Sequence, residues 1–507
     1  MSLVDWLSGA AASVLTLSDD LTLGSFNLLL QNGATSMAVG PLVKVMGGVL
    51  KTELAKGDED SKRKIADLSR IGTTALNIAY ENNNDSVAKD LATAALDLLL
   101  DAIKMGNKRM VESLSETFVK GLLTPRENLK YKAKVDGLVD ERRVMFNEAL
   151  VHEKNGTRPA GDNPPTADDL AQAATALLVA AVDLQIKAED KTESNRYRKM
   201  VHYFSTSWVT ALELGIQDGC ESRVRGLVGD RTSAFSEAMK EEWETGEDKE
   251  AEILSEAGVE VLLRTVEQGE QGKRDLVEIF SESWVEALER AINDKRDLKA
   301  RVEAMVSRRT AAFVKALGQG GEDSTTLSGA GVAVLLAAIE RGNVKLILSL
   351  SRSWVEALNA KGVVYDQVAP LIEQRTEEFR KAITSRDVKR AKILSKAGIA
   401  VLLAAVEEKA CDLVGGLSKS WVQALGRTIA QFETDATTRD KEAEKADIAK
   451  RDEVIAEAVN FGKKLVEGVE RSALEGCRAA MLKSAADLGY KEVADLVDEN
   501  WKKVFPN

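Results

Sequence analysis

The octapeptide SRSWVEAL at 351–358 has three close copies in the same chain: STSWVTAL at 205–212, SESWVEAL at 281–288 and SKSWVQAL at 418–425. Successive tryptophans, Trp208, Trp284, Trp354 and Trp421, are therefore 76, 70 and 67 residues apart. Two-helix repeats of the tetratricopeptide or ankyrin kind need only about 33–34 residues, so this period predicts three helices per unit.

Around each tryptophan segment (B) lie two further recurring segments. Segment A is short and almost wholly apolar: LSEAGVEVLLRTV from Leu254, LSGAGVAVLLAAI from Leu327, LSKAGIAVLLAAV from Leu394 and a looser LAQAATALLVAAV from Leu170. A helix without a polar face must be surrounded by protein, and Gly258, Gly331 and Gly398 let a neighbouring helix come close. Segment C is longer and charged and repeats apolar-x3-Arg-x3-Phe: Leu138/Arg142/Phe146, Leu227/Arg231/Phe235, Met305/Arg309/Phe313 and Leu371/Arg375/Phe379. Positions four apart share a helix face, so the arginine is expected on the packed side or its rim.

In register, Phe118 fills the tryptophan position of an earlier copy, Trp501 that of a last one, and Gly72 that of a degenerate first one. The expected fold is all-α, a helical-repeat (α-solenoid) array of about five three-helix units of roughly 67–90 residues with degenerate end caps. The expected organisation is an apolar N-terminal arm (1–50), N-terminal repeats (51–152), a Pro-rich linker (153–169), regular repeats (170–463) and a C-terminal capping repeat (464–507). Within the regular repeats, 428–461 contains neither Gly nor Pro and is charged over much of its length, which predicts one long exposed helix.

Composition fits an array. The 507 residues exceed what one compact core supports, about 250–300 residues, while seven prolines leave room for long helices. The net charge of −12 comes from 69 basic and 81 acidic residues mixed along the chain, so no concentrated basic surface for nucleic acid is expected. Cys220, Cys411 and Cys477 are far apart and odd in number, which suits free thiols in a reducing compartment. The first residues lack a basic n-region, and no stretch of about 18 uninterrupted apolar residues occurs, so neither signal peptide nor membrane span is expected. A cytoplasmic location, or one inside an intracellularly assembled particle, is the expectation.

Chemistry is sparse. His152 and His202 are the only histidines, and neither has a second ligand at helical metal spacing. Gly269 and Gly272-Lys273 superficially match a phosphate loop, but Glu267 stands where its first glycine belongs. No catalytic residue, metal site or cofactor is therefore expected. The repeated tryptophans are read as core. Arg142, Arg231, Arg309 and Arg375 are read as pairing with a carboxylate of the adjacent unit. The serines three before each tryptophan (Ser205, Ser281, Ser351, Ser418) are read as bonding the carbonyl four residues back. Leu3, Trp6 and Leu7 share one side of the N-terminal segment, which is read as an assembly arm. These features point to a non-enzymatic structural protein that self-assembles into a lattice, filament or particle such as a virion. Two alternatives are an adaptor binding another protein on its concave face, and a peripheral membrane scaffold through residues 1–50, the least favoured of the three.

Overall fold

The computed structural model describes residues 59–81, 84–127, 129–157, 164–245, 250–268, 274–293, 299–319, 322–361, 363–385, 387–436, 441–465 and 471–505. Among these, the regular elements are eighteen helices. A single helix, α1 (Glu59–Glu81), precedes five A–B–C triples. These are α2 (Asp85–Lys104), α3 (Lys108–Glu127) and α4 (Leu129–Lys154); α5 (Ala167–Lys187), α6 (Lys191–Gln217) and α7 (Glu221–Thr245); and α8 (Glu250–Glu267), α9 (Arg274–Ile292) and α10 (Lys299–Gln319). The last two are α11 (Glu322–Arg341), α12 (Val344–Leu358) and α13 (Tyr365–Thr384), then α14 (Val388–Glu407), α15 (Cys411–Ala436) and α16 (Lys441–Leu465). An A–B pair, α17 (Arg471–Leu488) and α18 (Lys491–Val504), ends the chain. The all-α helical-repeat array is thus present.

The chain forms two compact units, Met1–Arg231 with Lys249–Leu276, and Thr232–Asp248 with Val277–Asn507. Each is built by the same rule. In the first, the A helices α2, α5 and α8 touch in succession; in the second, α11, α14 and α17 do. Four of these A helices, α5, α8, α14 and α17, pack on the B helix before them, as α5 does on α3 and α14 on α12. C helices pack on the next repeat's A and B, as α4 does on α5 and α6 and α13 on α14 and α15. The A helices are consequently the spine: in α14, Ile399, Ala400, Leu402, Leu403 and Ala405 are all at most 1% exposed.

Short turns join A to B. Gly106, Gly342 and Gly489 end A helices with φ of 66°, 73° and 74°, left-handed backbone that favours glycine. After the first two, Asn107 and Asn343 accept from the amides of Met110 and Leu346 at 3.3 and 3.1 Å. The α14–α15 turn lacks this signal, and Lys409 adopts φ 54° there. Lys409→Gly is therefore expected to stabilise the protein by about 1 kcal/mol, read as a rise in the urea midpoint.

Two expectations need correction. Gly72 does not occupy a tryptophan position: α1 packs on α3 as a C helix packs on the next B, and the Thr73 hydroxyl donates to the Thr117 carbonyl at 3.2 Å. Gly72 thus sits at the arginine position of a C helix. That explains a step of only 46 residues to Phe118, the same as from Arg375 to Trp421. The stretch 428–461 is divided, since α15 ends at Ala436 and α16 starts at Lys441. Its later part is packed rather than projecting, with Val454, Ile455, Ala458 and Val459 buried, because it lies against α14 of its own triple and α18 of the next pair. Among the described residues, α5 is long and apolar enough to cross a membrane by length and composition alone. Leu170, Leu177, Leu178 and Val182 on it are buried within the protein. The arm at 1–50, with Leu3, Trp6 and Leu7, and residues 158–163 of the Pro-rich linker lie outside the described residues.

Candidate interaction surface at the repeat junctions

The junctions reuse the same kinds of side chain. The B-helix tryptophans Trp208, Trp354 and Trp421 are 9%, 9% and 5% exposed, and Trp284 is half-buried. The C-helix phenylalanine meets the tryptophan of the following B helix, as Phe146 does Trp208 and Phe235 does Trp284, both at 5.1 Å between ring centres. Trp354 and Trp421 also lie against the glycine of their own triple's A helix. A Cβ on Gly331 would stand 3.6 Å from Trp354 Cδ1, and one on Gly398 would stand 2.9 Å from Trp421 Cδ1. The Trp421 indole N–H donates to Ser395 Oγ at 3.3 Å.

The register between C and the next B is fixed by a contact the sequence reading missed. Thr232 hydrogen-bonds Ser283, Thr310 bonds Ser353 and Thr376 bonds Ser420, each threonine following the row arginine and each serine preceding the tryptophan. The recurring Arg-Thr and Ser-Trp dipeptides carried that signal. Removing the pair stepwise by Thr376→Val and Ser420→Ala is expected to cost about 1 kcal/mol for the contact in a double-mutant cycle of denaturant unfolding.

Arg375 and Arg142 have other neighbours than those expected. Arg375 Nη1 donates to both carboxylate oxygens of Glu378 on its own helix, at 2.8 and 2.9 Å. An i,i+3 carboxylate reaches the guanidinium without crossing a repeat boundary. Arg142 Nη2 is 3.9 Å from Asp97 on the A helix of its own triple, and its Nη1 lies 3.2 Å from Met145 Sδ. Arg309 is half-buried on α10. Burial pulls the Arg231 guanidinium below its ordinary pKa, with Asp230 and Asp168 opposing. The Nε atoms of Arg231 and Arg375 are buried without a hydrogen-bond partner. Ion pairs between repeats come from other residues, among them Arg341 to Glu289 at 2.7 Å and Arg352 to Glu407 at 3.1 Å. The row serines Ser205, Ser281 and Ser418 donate to the carbonyls four residues back at 2.8, 2.7 and 2.7 Å. Ser351 Oγ has no partner among the described residues.

An apolar cavity sits at one junction of each unit, built from equivalent positions. In the second unit it measures about 90 Å³, between Trp354, Trp421, Phe379 and Val401 with Arg375 on its wall. In the first it measures about 80 Å³, between Phe118, Trp208, Phe146 and Leu177 with Arg142 on its wall. An apolar hollow with a few convergent polar groups is a binding surface in form. By contrast, the histidines are not gathered into a site: His152 Nδ1 lies 2.7 Å from Thr157 Oγ1 and His202 is exposed. No group of three or more His, Cys, Asp or Glu able to hold a metal occurs among the described residues. The three cysteines are free, Cys220 and Cys477 buried and Cys411 exposed. Burial alone pushes the Cys477 thiol above its ordinary pKa.

No protein-family model matches the chain, and no curated protein matches it. Among solved structures, a circular tandem repeat protein with novel repeat topology and enhanced subunit contact surfaces is 15% identical over 96% of each chain, at a TM-score of 0.26. A Kap121p mutant is 10% identical over 99% of this chain and 56% of its own, at 0.18. Kap121p bound to Nup53p is 11% identical over 99% of this chain and 69% of its own, at 0.17. Superpositions this loose carry no argument about function.

Proposed function

We propose that this chain is a non-enzymatic scaffold for protein–protein interaction, acting in the cytoplasm and binding a partner along the C-helix side of its repeat junctions. The observation that carries this reading is the recurrence, in both units and at equivalent positions, of an apolar cavity with a half-buried arginine on its wall. Exposed large apolar side chains on or beside C helices are Val144 on α4, at 52% exposure, and Val364 and Tyr365 at the start of α13, at 56% and 42%, while Met105, Ile186 and Leu214 are exposed elsewhere. Stacked repeats give such positions a regular spacing, which suits an extended partner.

A finer reading is that the partner is a second copy, as in a lattice, filament or virion. End-to-end stacking through α17 does not support it, because the exposed residues there include Arg471, Glu475, Lys483 and Asp487. Sedimentation velocity over a hundredfold range of concentration separates the two. An adaptor stays at one 55.0 kDa species throughout, whereas species that grow with concentration would replace it with the self-assembling reading.

A further inference from the structure

The cavity of the second unit has walls that ask for a specific occupant. Arg375 Nη1 is taken by Glu378, but Nε is buried without an acceptor. The Nε–Nη2 edge is the planar fork that matches a carboxylate. Trp354, which also lines the cavity, has its Nε1 buried without an acceptor, although its counterpart Trp421 Nε1 bonds Ser395. Two of the residues that line the cavity therefore each keep a buried donor without an acceptor, which is costly. The rest of the lining is apolar, from Leu335, Ile372, Phe379, Leu394 and Val401.

Size narrows the occupant further. An engineered cavity of about 150 Å³ holds benzene, so about 90 Å³ suits a branched aliphatic group rather than an aromatic ring. The apolar surface also continues beyond the cavity. Tyr365 packs on Gly416 of α15, next to Leu417 on the cavity wall, and Val364 beside it is 56% exposed. From Tyr365 to Arg375 along α13 is about 15 Å at 1.5 Å per residue, the length of roughly four to five extended residues. That reach exceeds a small carboxylate and fits a peptide.

We propose that the α13–α15 cavity captures an extended segment of a partner protein in which an aliphatic side chain adjoins an aspartate or glutamate. The aliphatic group enters between Trp354 and Trp421, and the carboxylate takes the Nε–Nη2 edge of Arg375. This rests on the scaffold reading and names its partner's chemistry. The cavity of the first unit is not included, because none of the residues that line it has a buried polar side-chain atom without a hydrogen-bond partner.

The test is fluorescence polarisation with the full chain and fluorescein-labelled Ser/Ala octapeptides containing a central Leu-Glu, Leu-Lys, Phe-Glu or Ser-Glu pair. The Leu-Glu peptide is expected to bind, and the other three to bind at least about tenfold more weakly. Arg375→Gln, and Ala397→Leu to fill the cavity, should each weaken Leu-Glu by at least about tenfold at an unchanged thermal midpoint. Arg375→Lys should fall between, and Arg341→Gln, which removes the same charge from α11, should change nothing. Equal binding by the Leu-Lys peptide, or undiminished binding to Arg375→Gln and Ala397→Leu, overturns the inference and leaves the scaffold reading standing. No peptide binding at all also overturns it, and the scaffold reading then rests on whether the native protein carries a partner.

Discussion

Trp421→Ala is expected to destabilise the second unit by about 3–5 kcal/mol, the range for deleting a large buried aromatic side chain. The indole is 5% exposed, lies against Gly398 and donates to Ser395. Alanine removes all of these contacts and joins the lost volume to the existing cavity of about 90 Å³, which the stacked helices on either side cannot collapse to fill. Trp421→Phe keeps a ring between the helices but loses the hydrogen bond, so about 1–2 kcal/mol is expected. Hydrogen exchange resolved by peptide should place the loss in α13 to α16. Unchanged protection there for Trp421→Ala would contradict the reading of the tryptophan row as core.

Gly426→Ala is expected to cost about 1–3 kcal/mol, although alanine favours a helix over glycine by about 1 kcal/mol. The Tyr490 ring lies flat on this glycine, and an added Cβ would stand 2.5 Å from its Cγ, Cδ1 and Cδ2. The ring belongs to the turn between α17 and α18, so displacing it loosens the C-terminal pair. Gly331→Ala supplies the opposite sign on a matched background. Its nearest neighbour would be Trp354 Cδ1 at an ordinary 3.6 Å, and a gain of about 0.5–1 kcal/mol is expected from helix propensity. Urea unfolding of both variants checks the pair. A stabilised Gly426→Ala would show that the ring moves aside without cost.

Periodicity made the helices legible because apolar spacing reports local geometry directly. The A segments read as buried spine from composition alone, and Leu403 and Ala405 are indeed fully covered. What stayed hidden was which helix touches which. The sequence aligned LSRIGTTAL with the tryptophan segment because its Leu and Ser residues match, whereas α1 packs as a C helix; the Thr73 that follows Gly72 was the better guide. The Thr–Ser pairs were missed for the same reason, since each half lies 43 to 51 residues from the other. At the candidate surface, the repeat of Arg375 and its counterparts was visible. Glu378, the immediate partner, was passed over in favour of one across the repeat boundary. The cavities depend on the exact approach of four helices, which no one-dimensional pattern records.

The central claim, that the array exists to hold a protein partner, is tested most directly by native mass spectrometry of the chain isolated at its natural abundance from its own cells. The account predicts a mass above that of the 55.0 kDa chain by a stoichiometric protein component. A sharp 55.0 kDa species alone, under conditions gentle enough to preserve micromolar complexes, would contradict it.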